Sequence, residues 1–117
     1  MAIISDAVVF LVALLHGYFL VLEMFLWDKP AGLHAFGQTK EQATATKVLA
    51  ANQGLYNGFI SAGLLWGLAQ GSEGQDFKIF FLLCVITAGI YGAITASRKI
   101  LFIQAAPGLV GLLLVLV

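Results

Sequence analysis

Apolar residues fall in four long blocks, and polar residues crowd the gaps between them. The blocks cover residues 7–27, 48–69, 77–97 and 100–117. Each is close to the length a helix needs to cross a hydrocarbon core, about 20 residues. Helix is the expected form, because lipid offers no partner to an open backbone N–H or C=O. Barrel strands would alternate, and "VVFLVALL" and "FKIFFLLCVI" do not. The gaps differ from one another. "DKPAGLHAFG" holds Pro30, Gly32 and Gly37 and reads as an irregular loop resting on the membrane surface. "TKEQ" at 39–42 reads as a capping box, with Thr39 as N-cap and Gln42 three residues on. The second helix therefore starts ahead of its apolar block, and residues 40–47 form an exposed extension. "QGSEGQD" is a short polar turn. The link at Arg98 and Lys99 is so short that the third and fourth helices must be antiparallel neighbours. The pattern predicts an all-α membrane protein, a four-transmembrane-helix bundle forming one domain over residues 1–117.

Composition agrees. Of 117 residues 61% are hydrophobic and 10% charged, and the mean hydropathy is +0.98. A soluble domain carries about 25% charged residues, so the expected partner of this surface is a lipid bilayer. Net charge is zero, which leaves no basic footprint for nucleic acid. Cys84 is the single cysteine, so neither an intrachain disulfide nor a cysteine metal cage is available. The first apolar block has no lysine or arginine before it and no small-x-small site after it, unlike a cleavable signal peptide.

Lysine and arginine set the expected orientation. Lys29, Lys40 and Lys47 lie in the first loop, and Arg98 and Lys99 in the third: five of the six basic residues. Lys78 alone stands on the opposite side, with Asp6, Glu73 and Asp76. The positive-inside rule puts loops 1 and 3 in the cytoplasm and both termini outside. Trp27 and Trp66 sit near helix ends, as interfacial anchors do. Gly54, Gly58 and Ala62, and later Ala88, Gly92 and Ala96, recur at a spacing of four. Such ridges let helices approach closely, within a bundle or between subunits. Four short helices enclose little volume, so a homo-oligomer is expected.

Depth then sorts the polar residues, at about 1.5 Å of rise per residue. His16 falls near mid-membrane and Glu23 about one turn from the cytoplasmic end. Asn52, Gln53, Tyr56 and Asn57 fall in the cytoplasmic half of the second span, Tyr91, Thr95 and Arg98 in that of the third, and Gln104 opens the fourth. His16, Glu23 and Trp27 share one helical face. Asn52 and Tyr56 form one stripe, Gln53 and Asn57 a neighbouring one. The expectation is a polar pocket in the cytoplasmic half, with His16, Glu23, Trp27, Asn52, Gln53, Tyr56, Asn57, Tyr91, Arg98 and Gln104 as its ligand- or proton-binding residues. Glu23 has two readings: a structural partner of Arg98, Asn52 or Gln53, or a carboxylate that binds a proton or a cationic ligand. An ionisable group inside a membrane is costly and raises the second. No catalytic group, metal ligand set or cofactor is expected: there is no HxxxH or HExxH pair, and no serine or cysteine stands beside a recognisable base.

"HGYFLVLEMFLW", "KVLAANQGLYNGFISAGLLWG" and "QAAPGLVGLLL" together resemble a family of small bacterial integral membrane proteins of about 120 residues without assigned function. The likeness spans nearly the whole chain, and "LAANQGLYNGF" is its most specific part. It implies a four-helix protein of the bacterial inner membrane and supplies no mechanism. Its pattern falls on His16, Glu23, Trp27, Asn52, Gln53, Tyr56, Asn57, Gln104 and Pro107. The small multidrug exporters share only its plan of length, helix number and a glutamate in the first helix, and fold-level analogy is a weak warrant. Three functions stay open: a proton- or cation-linked transporter of a small molecule, a ligand-binding or assembly subunit without transport, and an intramembrane enzyme acting on a lipid.

Overall fold

The structure is a computed structural model that describes residues 2–117. It is all-helical, with no strand among the described residues. Helix α1 runs Ala2–Met24, α2 Pro30–Phe36, α3 Lys40–Ala69, α4 Gln75–Thr95 and α5 Ala106–Leu116. A 3₁₀ turn, Gly71–Gly74, leads into α4, and a π-helical turn, Leu101–Ala105, leads into α5. By length and composition two helical segments, Ala2–Met24 and Gly71–Thr95, suffice to cross a membrane. Leu101–Leu116 is apolar but shorter.

Packing divides the chain into two units. One comprises the chain up to Leu14 together with Ile60–Val117. Its core joins Val9, Val12 and Ala13 of α1 to Leu64 of α3, Leu82 and Val85 of α4 and Val115 of α5. Helices α4 and α5 are antiparallel, as the short link required: Gly89 lies on Ala105, Gly108 on Val85 and Gly111 on Leu82. The π-helical turn has a local cause. Pro107 cannot donate to a carbonyl four residues back and its ring crowds that carbonyl. The preceding turn widens, and the Ala106 N–H reaches the Leu101 carbonyl instead. Lys78 is buried at the start of α4 and its Nζ meets Asp6 Oδ1 at 3.0 Å. Ser61 donates to the Ala13 carbonyl at 2.8 Å. Phe80, Ile94, Phe102 and Leu113 stay exposed, a surface suited to lipid rather than water.

Residues 15–59 form the other unit. It is a helical hairpin: the last turns of α1 descend, α2 caps the connection, and α3 returns. The capping box exists as read. Gln42 N donates to Thr39 Oγ1 at 3.2 Å, and Thr39 N donates to Gln42 Oε1 at 3.0 Å. The loop reading of "DKPAGLHAFG" needs correction, because it contains α2. Pro30 occupies the first turn, where a missing N–H costs nothing. Gly37 ends the helix at φ 61°, a left-handed conformation that suits glycine. Gly32 is buried directly on the backbone of Leu26 and Trp27.

Candidate functional site

The Glu23 cluster belongs wholly to the 15–59 unit, and its position follows from small residues on α3. Gly54 leaves room for Leu20, Glu23 and Met24: a Cβ added there would lie 2.7 Å from Met24 Cγ and 3.0 Å from Glu23 Cβ. Gly58, one turn on, faces the Leu20 side chain. Ala43 and Ala50 are buried on the same helix. This approach brings the flanking stripe of α3, Gln53 and Asn57, onto the Glu23 carboxylate.

Glu23 is 2% exposed and lies in the last turn of α1. Its Oε1 accepts from Asn57 Nδ2 at 2.5 Å, and its Oε2 accepts from Gln53 Nε2. Neither of the ion pairs among the described residues, Asp28–Lys47 and Asp6–Lys78, involves it. Two neutral amides therefore hold a buried carboxyl group, one on each oxygen. His16 lies two turns earlier on α1, fully buried, with its ring edge-on to Phe19 at 5.4 Å.

Below the cluster, Trp27 Nε1 donates to Thr46 Oγ1 at 3.1 Å, and its ring packs on Phe36 of α2 at 4.8 Å. Thr46 in turn donates to the Gln42 carbonyl. Lys47 Nζ donates to Asp28 Oδ2 at 3.1 Å. That hydrogen bond, with the lysine's charge, holds the Asp28 carboxyl below the usual carboxylate range. Thr46 and Asp28 were not among the expected site residues. Asp28 and Lys47 could have been found as opposite charges meeting across a hairpin. Thr46 gave no signal, because a threonine on an exposed helix has no pattern of its own.

The other expected residues stand elsewhere. Asn52 and Tyr56 do not point inward in this unit. Exposure does not separate them from Gln53, which is exposed as well; their partners do, since Asn52 Nδ2 bonds back to the Val48 carbonyl and Tyr56 packs on Phe59 of its own helix. Their stripe is turned about 100° from that of Gln53 and Asn57, and the glycine contact selects the latter. Tyr91, Arg98 and Gln104 belong to the unit holding α4 and α5. Tyr91 is 69% exposed at one end of a shallow apolar groove with Phe80, Leu83, Cys84, Thr87 and Ala88. Arg98 is exposed in the link, and Gln104 is half-buried in the π-helical turn. Among the described residues no group of three His, Cys, Asp or Glu is placed to hold a metal ion.

One protein-family model, described as "Protein of unknown function (DUF1304)", matches residues 10–116. A relative, "Uncharacterized protein YpaA" of Lactococcus lactis subsp. lactis (strain IL1403), is 30% identical over 115 residues, which is 97% of each chain. No solved structure matches.

Proposed function

The chain belongs to the DUF1304 family, and from that premise and the Glu23 cluster we propose a small membrane protein that binds a proton or cation at Glu23, as a proton- or cation-linked transporter of a small molecule does. In this reading the chain crosses the bacterial inner membrane four times, loops 1 and 3 face the cytoplasm, and the protein is a homo-oligomer. One observation carries the functional part: a carboxyl group 2% exposed within an apolar helix, held by two amides and no cation among the described residues. An ionisable group within a membrane-spanning segment is costly and is a functional-site hypothesis by default. A permanent anion would be served best by lysine or arginine. Amides serve a group whose charge changes, because each carries both a donor and an acceptor on one carbon. They donate to the carboxylate and, turned over, accept from the acid.

The test is the melting temperature of purified wild type and Glu23→Gln in detergent, across pH and a panel of cations and amines. The wild type is expected to be stabilised by a cation, more strongly at higher pH, where protons compete less. Glu23→Gln is expected to show neither response. A variant that melts earlier by the same interval in every condition would overturn the reading. It would favour an assembly subunit in which the cluster joins α1 to α3, a role the amide on each carboxylate oxygen would equally serve.

A further inference from the structure

We infer that the outer face of α3 is the contact between two copies of the chain, closed at its centre by reciprocal hydrogen bonds between the two Asn52 amides. The inference rests on the reading above, in which α3 crosses the membrane and the protein is a homo-oligomer, and deepens it by assigning the surface through which the copies meet.

Gly54 marks the side of α3 that is seated on α1. The other side carries Val48, Leu49, Leu55, Tyr56 and Phe59, which are 41–75% exposed. Asn52 is exposed in the middle of them. Leu49, Asn52, Tyr56 and Phe59 follow one another at steps of three, four and three, the spacing of a seam between paired helices. Apolar residues on such a face need no partner but lipid. The amide does.

Depth makes Asn52 the deciding group. Lys47 and Asp28 pair at an exposed level of the hairpin. Asn52 stands five residues beyond Lys47, about 7 Å along the helix, inside a hydrocarbon core of about 30 Å. So short a side chain does not carry its amide back to water over that distance. One N–H is spent on the Val48 carbonyl of the same helix. The amide also has a second N–H and a carbonyl oxygen, and lipid offers a partner to neither. A neighbouring helix does, as asparagines joining membrane helices show.

The neighbour that fits is a second copy. An amide carries a donor and an acceptor on one carbon and is therefore complementary to itself. Across a two-fold axis each Asn52 donates to the other's Oδ1, as an isologous contact requires. Copies inserted in one orientation lay their α3 helices parallel, so residues of equal number meet. The register that joins the Asn52 pair also joins Leu49, Tyr56 and Phe59 to their counterparts. The partner then covers the flank of Gln53, the exposed amide that holds Glu23.

The test uses the full chain in native membranes, with Cys84→Ala and one cysteine at a time, oxidised by copper phenanthroline. Leu49→Cys and Tyr56→Cys are expected to give disulfide-linked dimers. Ile94→Cys on α4, 79% exposed, is expected to give none. Energy transfer between copies labelled at Glu73→Cys, followed on dilution with lipid, measures association. Asn52→Leu is expected to weaken it about tenfold, one interhelical hydrogen-bonded pair, and Asn52→Gln to restore it. Asn52 touches nothing on α1 in this account, so an unchanged melting temperature of the Glu23→Gln and Glu23 chains in the Asn52→Leu background is not required for the comparison. Association unaffected by Asn52→Leu overturns the inference. So do dimers linked through Ile94→Cys or the native Cys84 but not through α3, an outcome that leaves the homo-oligomer standing on another face. Absence of energy transfer at every dilution refutes both the contact and the homo-oligomer, whereas proton or cation binding at Glu23 is judged separately by the melting of Glu23→Gln.

Discussion

At the scale of single residues, two carboxylates of one hairpin are treated oppositely. Glu23 is enclosed and faces neutral amides. Asp28, five residues on, faces the ammonium of Lys47, which is itself 56% exposed. The pair is modest for that reason, since water screens it. Its pH dependence has a definite sign. Hydrogen bonding from Lys47 lowers the folded-state pKa of Asp28, so the unfolded chain takes up the proton first as pH falls. The stabilisation is therefore complete above the unfolded value, about 3.9, and is lost as pH drops through the lower folded value. Hydrogen-exchange protection across residues 26–40, taken relative to the intrinsic rate at each pH, should be steady from neutral pH down to that range and then fall. Asp28→Asn should exchange faster at neutral pH and show no such acid step; an unchanged step in the variant would assign it to another group.

At the scale of elements, α2 depends on one missing side chain. Gly32 sits against the Leu26 carbonyl, where a Cβ would overlap backbone rather than a movable side chain. Gly32→Ala should cost about 1–3 kcal/mol, as overpacking does, and should lift α2 off the turn. Trp27, which packs on Phe36 and bonds Thr46, then reports the change: its emission should move to the red, and an unmoved spectrum with an unchanged melting point would refute the account. Elements also show where local signals sufficed. The Thr39–Gln42 box was legible because both partners lie within one turn. The π-helical turn before α5 was not, because the widened register depends on how the carbonyls preceding Pro107 are accommodated. Helix α2 was hidden because seven residues are too few to display a hydrophobic period, and its real markers, Pro30 at the start and Gly37 at the end, also read as loop residues.

At the scale of the whole molecule, the distribution of lysine and arginine makes the proposed orientation testable. In a background of Cys84→Ala, cysteines placed at Lys40 and Lys99 should resist a membrane-impermeant reagent in intact cells, and one at Glu73 should react. Labelling at Lys40 with protection at Glu73 would reverse the orientation. The polar residues expected to share one pocket are divided between the two packing units, with Glu23, Gln53 and Asn57 in one and Tyr91, Arg98 and Gln104 in the other.

The sequence by itself determined the helical class, two of the four expected apolar segments as long enough for a membrane, the capping box and the antiparallel pairing of α4 with α5. All of these follow from composition, local chain geometry or a link too short to allow anything else. Only the tertiary structure decided which amides meet Glu23. Asn52 and Gln53 are adjacent in the chain and alike in chemistry, but one residue turns a helix by about 100°. The close seat of Gly54 on Leu20, Glu23 and Met24 fixes that rotation, so Gln53 and Asn57 reach the carboxylate while Asn52 and Tyr56 are carried away from it.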